Sequence, residues 1–121
     1  MRNIYLIEGA KNAGKSNYIH EKHKELLSRC AEIETINGDD WNTVIYILKD
    51  EQTNEIIILN SGSDTKGIIR NFGQILKRYP SAATVYTAIR PYGINPRLHK
   101  WMKDVLDITA ADNVQIVNLP L

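Results

Sequence analysis

The sequence lacks the features that hold secreted or membrane proteins together. It has a single cysteine, Cys30, so no disulfide can form within the chain and nothing points to an oxidising compartment. No uninterrupted apolar stretch approaches the length of a membrane span, and Glu8 cuts short the first apolar run, unlike the pattern of a signal peptide. These absences predict a cytoplasmic protein that does not enter a membrane.

Charge of one sign is not in excess either. The 15 Lys and Arg residues and 14 Asp and Glu residues are spread along the chain and give a net charge of +1. Proteins that bind nucleic-acid backbones carry a basic stripe, which is not evident here, so nucleic acid is disfavoured as a partner. The 121 residues are 43% apolar and 24% charged, which predicts one globular domain over residues 1–121.

Short β-rich runs alternate with longer amphipathic ones, which is typical of βα units around a parallel sheet. Strands are predicted at NIYLIE, IETI, EIIILN, ATVYTAI and VQIVNL. Helices are predicted from Lys15 to about Cys30, between SGSD and Pro80, and over NPRLHKWMKDVLDI. With a fourth helix in the segment considered next, we expect a three-layer α/β sandwich with a five-stranded, mainly parallel sheet.

That segment, DDWNTVIYILKDE at residues 39–51, fits two structures. Trp41, Val44, Ile45 and Leu48 have helical spacing, and an aspartate before them would cap the helix. The β-branched content would equally suit a strand that forms a hairpin with EIIILN across KDEQTN. We prefer the helix, because a parallel strand after it needs a crossover and this segment has the length for one.

The segment GAKNAGKS satisfies the pattern G-x-x-x-x-G-K-[ST] and lies between a predicted strand and a predicted helix. Its glycines let the backbone turn around an anion, and amides at a helix N-terminus favour a phosphate there. Lys15 would reach the β- and γ-phosphates, and Ser16 would offer its hydroxyl to Mg²⁺. The residues predicted to bind the nucleotide are Gly9, Ala10, Lys11, Asn12, Ala13, Gly14, Lys15 and Ser16. The alternative is a glycine-rich turn that binds nothing.

This motif, its position after the first strand and the alternating pattern resemble the P-loop nucleoside triphosphatase superfamily, most closely its small-molecule kinases. The specific motif covers residues 9–16, and the rest of the resemblance is architectural. The resemblance implies a parallel sheet with the phosphate-loop strand at its centre. It also implies ATP or GTP as the ligand, together with Mg²⁺.

The stretch NGDDW, residues 37–41, is similar to the D-G-D stretch that gluconate and adenylyl-sulfate kinases carry after the second strand. The resemblance implies that Asp39 orients or deprotonates the hydroxyl of an acceptor. Asn37 departs from the motif, and Asp40 is an additional acid. The alternative is that Asp39 and Asp40 only cap a helix.

The end of the third predicted strand departs from the superfamily, which usually places there an aspartate that holds the Mg²⁺ shell. Asn60 and Ser61 stand at that point. Asp64 could reach the metal through water, or it could cap the next helix. Shikimate kinase also lacks the usual acid, so the departure weakens the expectation of fast hydrolysis without excluding phosphoryl transfer.

Two arginines follow the fourth predicted strand in RPYGINPR, which resembles a very short lid. Arg90 could stabilise the charge on a transferred phosphoryl group, and Arg97 could contact the nucleotide. Both could instead be solvated or pair with acids of the last helix.

These features predict a P-loop kinase or nucleoside triphosphatase that transfers the γ-phosphoryl group of ATP or GTP to a small acceptor. Lys15, Asp39 and Arg90 would be the catalytic residues, and Ser16 and Asp64 would hold Mg²⁺. The alternative is a regulatory protein that binds the nucleotide and hydrolyses it slowly or not at all.

Overall fold

The computed structural model describes residues 2–38 and 40–120. Strands and helices alternate along most of this chain, so the predicted α/β class is confirmed. The strands are β1 (Asn3–Glu8), β2 (Cys30–Asn37), β3 (Val44–Asp50), β4 (Ile56–Asn60), β5 (Thr84–Ile89) and β6 (Asn113–Asn118). The helices are α1 (Lys15–Leu26), α2 (Lys66–Arg78) and α3 (Pro96–Leu106).

The described strands form one mixed sheet in the order β2-β3-β4-β5-β1-β6. Strands β4, β5, β1 and β6 run parallel, whereas β3 is antiparallel to both of its neighbours. The sheet therefore has six strands rather than the predicted five. β1, which leads into the predicted phosphate loop (residues 9–16), lies between β5 and β6, one strand from the edge. It is therefore not at the centre of the sheet, where the resemblance placed it.

The helix predicted across residues 41–50 is wrong, because β3 occupies most of that segment. It pairs with β4 from Ile45 opposite Asn60 to Lys49 opposite Ile56, as the hairpin alternative required. Consecutive residues Ile47 and Leu48 are both fully buried on opposite faces of the sheet, which a surface helix would not allow. No crossover helix is needed, because β3 runs antiparallel to β4.

The first helix is also shorter than predicted. It ends at Leu26, and Cys30 begins β2 instead of closing the helix. Arg29 explains the difference, because its amide donates to the Leu26 carbonyl while its own carbonyl accepts from the Glu51 amide. The chain has thus already joined the neighbouring hairpin turn before Cys30.

Helices cover both faces of the sheet, which confirms the three layers. On one face, Ile19 and Leu26 of α1 pack in a cluster with Ile7 and Leu59 of the strands. On the other face, α2 and α3 supply Phe72 and Met102, among others, to the larger core. Within residues 2–38 and 40–120, no helix has both the length and the apolar character needed to cross a bilayer.

Candidate functional site

The phosphate loop has a backbone that its glycines make possible. Gly14 has a φ of 99° and Asn12 a φ of 65°, both in the left-handed region that favours glycine and asparagine. A Cβ at Gly9 would lie 2.9 Å from the Cβ of Ala13 and 3.3 Å from that of Leu119. The loop is closed by the Ala13 amide, which donates to the Ala10 carbonyl at 3.1 Å. Larger residues at the two glycines would therefore distort the loop.

Helix α1 begins without a side-chain cap. Its N-cap is Gly14, whereas the N-cap of α2 is Thr65, whose hydroxyl accepts from the Ile68 amide at 3.2 Å. The first amides of any helix lack partners within the helix, and here no side chain among the described residues caps that end. The start of α1 is thus suited to receive an anion from outside the chain.

Lys15 lies at the centre of the site and is only 6% exposed. Its Nζ donates to the Ala10 carbonyl at 3.0 Å. Burial lowers the pKa of Lys15 below its ordinary value, while the Asp64 carboxylate raises it and Arg90 lowers it again. The structure therefore brings three predicted residues from separate loops, Lys15, Asp64 and Arg90, into one electrostatic environment.

Asp64 and Arg90 form an ion pair, with Arg90 Nε 3.2 Å from Asp64 Oδ1. The Arg90 side chain is 11% exposed and that of Asp64 is 45% exposed. Despite the short distance, the Nε–H of Arg90 is buried without a hydrogen bond of good geometry to any described residue. Charge attraction therefore holds the pair together. The Nε–H of Arg90 is left to donate to another acceptor.

Two further buried polar atoms lack a hydrogen bond to the described residues, Ser63 Oγ and Asn95 Oδ1. Ser63 follows β4, and Asn95 lies between β5 and α3. Together with Arg90 Nε, these unpaired atoms lie in the loops at the carboxyl ends of neighbouring parallel strands. Unpaired buried polar atoms are rare in proteins and often mark places that a ligand or water completes.

Ser16 lies beside the loop that follows β4. Its hydroxyl donates to the Ser61 carbonyl at 3.4 Å, a long hydrogen bond. The Ser61 hydroxyl is in turn tied to Val44, donating to the carbonyl and accepting from the amide of that residue. The predicted Mg²⁺ ligand Ser16 is therefore next to the end of β4, even though β5 separates β4 from β1.

Asn60, which replaces the usual acid at this strand end, is 1% exposed and fully engaged inside the protein. Its Nδ2 donates to the Gly62 carbonyl at 2.7 Å and to Thr87 Oγ1 at 3.0 Å, and its Oδ1 accepts from the Gly62 amide. A carboxylate could not make the two donations. Through these hydrogen bonds, Asn60 connects the turn after β4 to β5.

Several predicted roles are not supported by the geometry. Asp39 lies outside the described residues, so its catalytic role stays a prediction. Arg97 is exposed at the start of α3 and forms no ion pair within the described part of the chain. Asp40 caps no helix; its Oδ1 accepts from the Asn42 amide at 2.8 Å in the turn between β2 and β3. Asp64 precedes Thr65, which is the cap of α2, so the capping alternative for Asp64 is wrong.

Sequence reasoning missed the role of His20. This residue of α1 is buried, with Nδ1 2.7 Å from the Tyr46 hydroxyl and Nε2 2.8 Å from the Trp41 carbonyl. Its ring also stacks on Trp41 at 4.2 Å. His20 thus joins the helix of the phosphate loop to the turn between β2 and β3. The sequence did not reveal this contact, because the helix predicted across residues 41–50 gives Trp41 and Tyr46 the wrong backbone conformation.

A pocket of about 340 Å³ lies next to Asn60, on the α2 face of the sheet. It is bordered by the end of β2, the start of β3 and α2. A larger hollow of about 1060 Å³ lies between α2, α3 and the amino end of the sheet, lined by residues that include Arg2, Ala83 and Asp112. No residue from 9 to 16 lines either pocket, but ligands of open parallel sheets bind at the carboxyl end, where the smaller pocket lies beside Asn60. The smaller pocket is therefore the one considered further.

No known protein family, curated protein or solved structure matches this chain. The site itself is therefore the basis for assigning a function.

Proposed function

We propose that this protein binds a nucleoside triphosphate, ATP or GTP, as its Mg²⁺ complex at residues 9–16, and transfers the γ-phosphoryl group to a small acceptor. One observation carries the proposal. Lys15 is 6% exposed beside the uncapped start of α1 and within the electrostatic field of Asp64 and Arg90. A buried cation that has only one backbone carbonyl as its hydrogen-bond acceptor is suited to an incoming anion.

The phosphates would be held by the loop backbone and by Lys15. The amides at the start of α1 offer donors and a partial positive charge to the β-phosphate. The Nζ of Lys15 donates to the neutral carbonyl of Ala10, and a phosphate oxygen is a stronger acceptor for an ammonium group. Because the phosphate is an anion, its binding should raise the pKa of Lys15.

The residues present also fit Mg²⁺, which prefers oxygen ligands. The Ser16 hydroxyl and the Asp64 carboxylate are the oxygen donors that would hold it, because the Asn60 amide is engaged with Gly62 and Thr87. So few protein ligands mean that the metal enters with the nucleotide. When bound, Mg²⁺ supplies charge neutralisation on the phosphates.

Transfer would follow from the charge arrangement around the γ-phosphate. The acceptor hydroxyl oxygen forms a bond to the γ-phosphorus while the bond from that phosphorus to the β–γ bridging oxygen breaks. The bonding pair leaves with the nucleoside diphosphate, and the hydroxyl proton passes to a nearby carboxylate, for which Asp39 remains the proposed base. Lys15 and Arg90 stabilise the negative charge of the transferred group and the leaving oxygen.

A second function is favoured by Asn60. Among the described residues, the end of β4 carries no carboxylate, and the amide there serves the fold. A nucleotide-binding regulatory protein that hydrolyses slowly or not at all would have the same loop and the same Lys15.

Calorimetry with Mg-ATP and Mg-GTP tests the binding, with Lys15→Ala compared with Lys11→Ala. Lys11 is an exposed lysine of the same loop whose proposed contribution is its backbone amide, so Lys11→Ala loses the same charge and keeps that contact. We expect Lys15→Ala to weaken binding roughly tenfold or more, and Lys11→Ala to change it little. Equal affinity of wild type and Lys15→Ala would end the phosphate-loop proposal. Phosphorus NMR of wild type with Mg-ATP and pooled metabolites then separates transfer from the regulatory function.

A further inference from the structure

The pocket next to Asn60 is lined by uncharged residues. Its floor is formed by isoleucines, and carboxamides and small polar residues surround them. The lining residues are Ile36, Asn37, Gly38, Thr43, Ile45, Asn60, Ile68, Asn71, Gln74 and Ile75. Its volume of about 340 Å³ is at the low end for ligand pockets, which suits a small metabolite.

None of these described lining residues is charged. The side-chain amides of Asn37, Asn71 and Gln74 each offer both a donor and an acceptor. No described side chain or backbone group forms a hydrogen bond with these side-chain amides. A carboxylate, phosphate ester or ammonium group in this pocket would lose hydration without gaining an opposite charge from the described lining residues. A neutral ligand with hydroxyl groups would gain hydrogen bonds to the amides and an apolar contact with the isoleucines.

The turn after β4 connects the pocket to the start of α1. Asn60 lines it, and the carbonyl of the following residue, Ser61, accepts the hydroxyl of Ser16. The opposite wall is set by Gly38, whose amide donates to the Thr43 carbonyl at 2.7 Å. A Cβ at Gly38 would overlap Thr43 Oγ1, so this wall requires glycine. The neighbouring residues Asn60 and Ser61 thus face the pocket and Ser16, respectively.

We infer that this pocket is the acceptor site and that the acceptor is a small, uncharged compound with several hydroxyl groups, such as a free sugar or a nucleoside. The inference rests on the proposed function for the transfer step, but binding of the neutral compound needs no nucleotide. One acceptor hydroxyl points towards Ser61 and forms the new bond to the γ-phosphorus; its proton leaves as described above. The other hydroxyls bind the amides at the rim.

The test compares neutral probes with charged counterparts of similar size. D-ribose, D-glucose and uridine are each paired with ribose 5-phosphate, glucose 6-phosphate and uridine 5′-monophosphate, at millimolar concentration. Saturation-transfer NMR measures binding to the full chain without nucleotide. The variant Asn71→Trp fills the rim of the pocket, and Arg70→Trp, exposed on the same helix outside the pocket, is its control.

We expect at least one neutral probe to bind wild type and the control, to bind Asn71→Trp roughly tenfold or more weakly, and to exceed its charged counterpart. The affinity for Mg-ATP should be the same in all three proteins. If none of the neutral probes binds wild type, or if the charged counterparts bind as well, the inference is overturned while the phosphate loop stands. If a neutral probe binds the pocket but Mg-ATP fails to phosphorylate it, the binding assignment holds and the transfer proposal fails.

Discussion

Two arginines, Arg2 and Arg90, lie at opposite ends of the parallel strands and differ in how many of their hydrogen bonds the chain itself supplies. Arg2, before β1, donates from Nε and Nη2 to both oxygens of Asp112 at 3.2 and 3.0 Å, and from Nη2 to the Leu106 carbonyl at 2.6 Å. Arg90, after β5, contacts Asp64 but leaves its Nε–H without a well-directed hydrogen bond to the described residues. At the amino end, groups of the chain itself accept the hydrogen bonds of Arg2. At the carboxyl end, no described residue accepts a well-directed hydrogen bond from the Nε–H of Arg90.

The difference distinguishes an arginine that stabilises the fold from one that is proposed to bind a ligand. A guanidinium group that donates to several acceptors within the chain connects elements, here β1 to the segment before β6 and to the end of α3. A buried group without a partner costs free energy until something completes it. The carboxyl end also holds the left-handed Gly14 and the desolvated Lys15, so the proposed ligand would meet polar groups that the described residues satisfy only in part.

The largest effect is expected from a carboxylate at the strand end where the superfamily has one. Asn60→Asp removes both donations of the buried amide and places a charge at a position that is 1% exposed. We expect the free energy of unfolding to fall by about 3 kcal/mol or more. Urea denaturation measures it, with the exposed Asn71→Asp as the control, expected within about 0.5 kcal/mol of wild type. A stable Asn60→Asp variant that binds Mg²⁺ more tightly would show that the turn can reorganise into a metal site.

The next largest effects are expected from replacing each of the two arginines by alanine, because the two substitutions should change different properties. Arg2→Ala should lower the free energy of unfolding by about 2 kcal/mol, because charged hydrogen bonds to Asp112 and Leu106 are lost. Its affinity for Mg-ATP should be unchanged. Arg90→Ala should cost less stability and weaken Mg-ATP binding. Denaturation and calorimetry on both variants decide the matter, and nucleotide affinity that depends on Arg2 and not on Arg90 would reverse the comparison.

Acid should weaken the amino end specifically. Hydrogen bonds from Arg2 and from the Thr109 amide hold the pKa of Asp112 below its usual 3.8. Between the two pKa values the unfolded chain binds more protons, so this stabilisation is complete above pH 3.8 and is lost as pH falls through the folded pKa. The stability difference between wild type and Asp112→Asn should therefore shrink over that range. A difference that is constant with pH would mean that Asp112 acts only by packing.

The smallest effect concerns the protonation of Lys15. Its pKa should lie below the ordinary lysine value of 10.5, since burial disfavours the charged amine. Asp64→Asn should lower it further, and Arg90→Ala should raise it, because those groups act on it with opposite signs. Carbon-13 NMR titration of the lysine ε-carbons measures all three proteins. A Lys15 pKa at or above 10.5 would show that the amine is open to water.

The sequence by itself determined the glycine-dependent backbone of residues 9–16 and the elements on either side of it. Gly9 and Gly14 are required by backbone conformation and close approach within the loop, which depend on few distant contacts. The predicted strand NIYLIE coincides with β1, and the helix before Pro80 ends at Arg78. Short-range rules suffice there because proline and glycine act on the local backbone.

Only the tertiary structure decided the segment from residue 39 to residue 51 and the role of Asn60. The spacing of Val44, Ile45 and Leu48 fits a helix, yet β3 forms because the strand buries both faces between β2 and β4. Asn60 is explained by Thr87, 27 positions later, to which its amide donates. Such pairings join positions far apart in the chain, so their free energy depends on the assembled sheet and is absent from any local pattern.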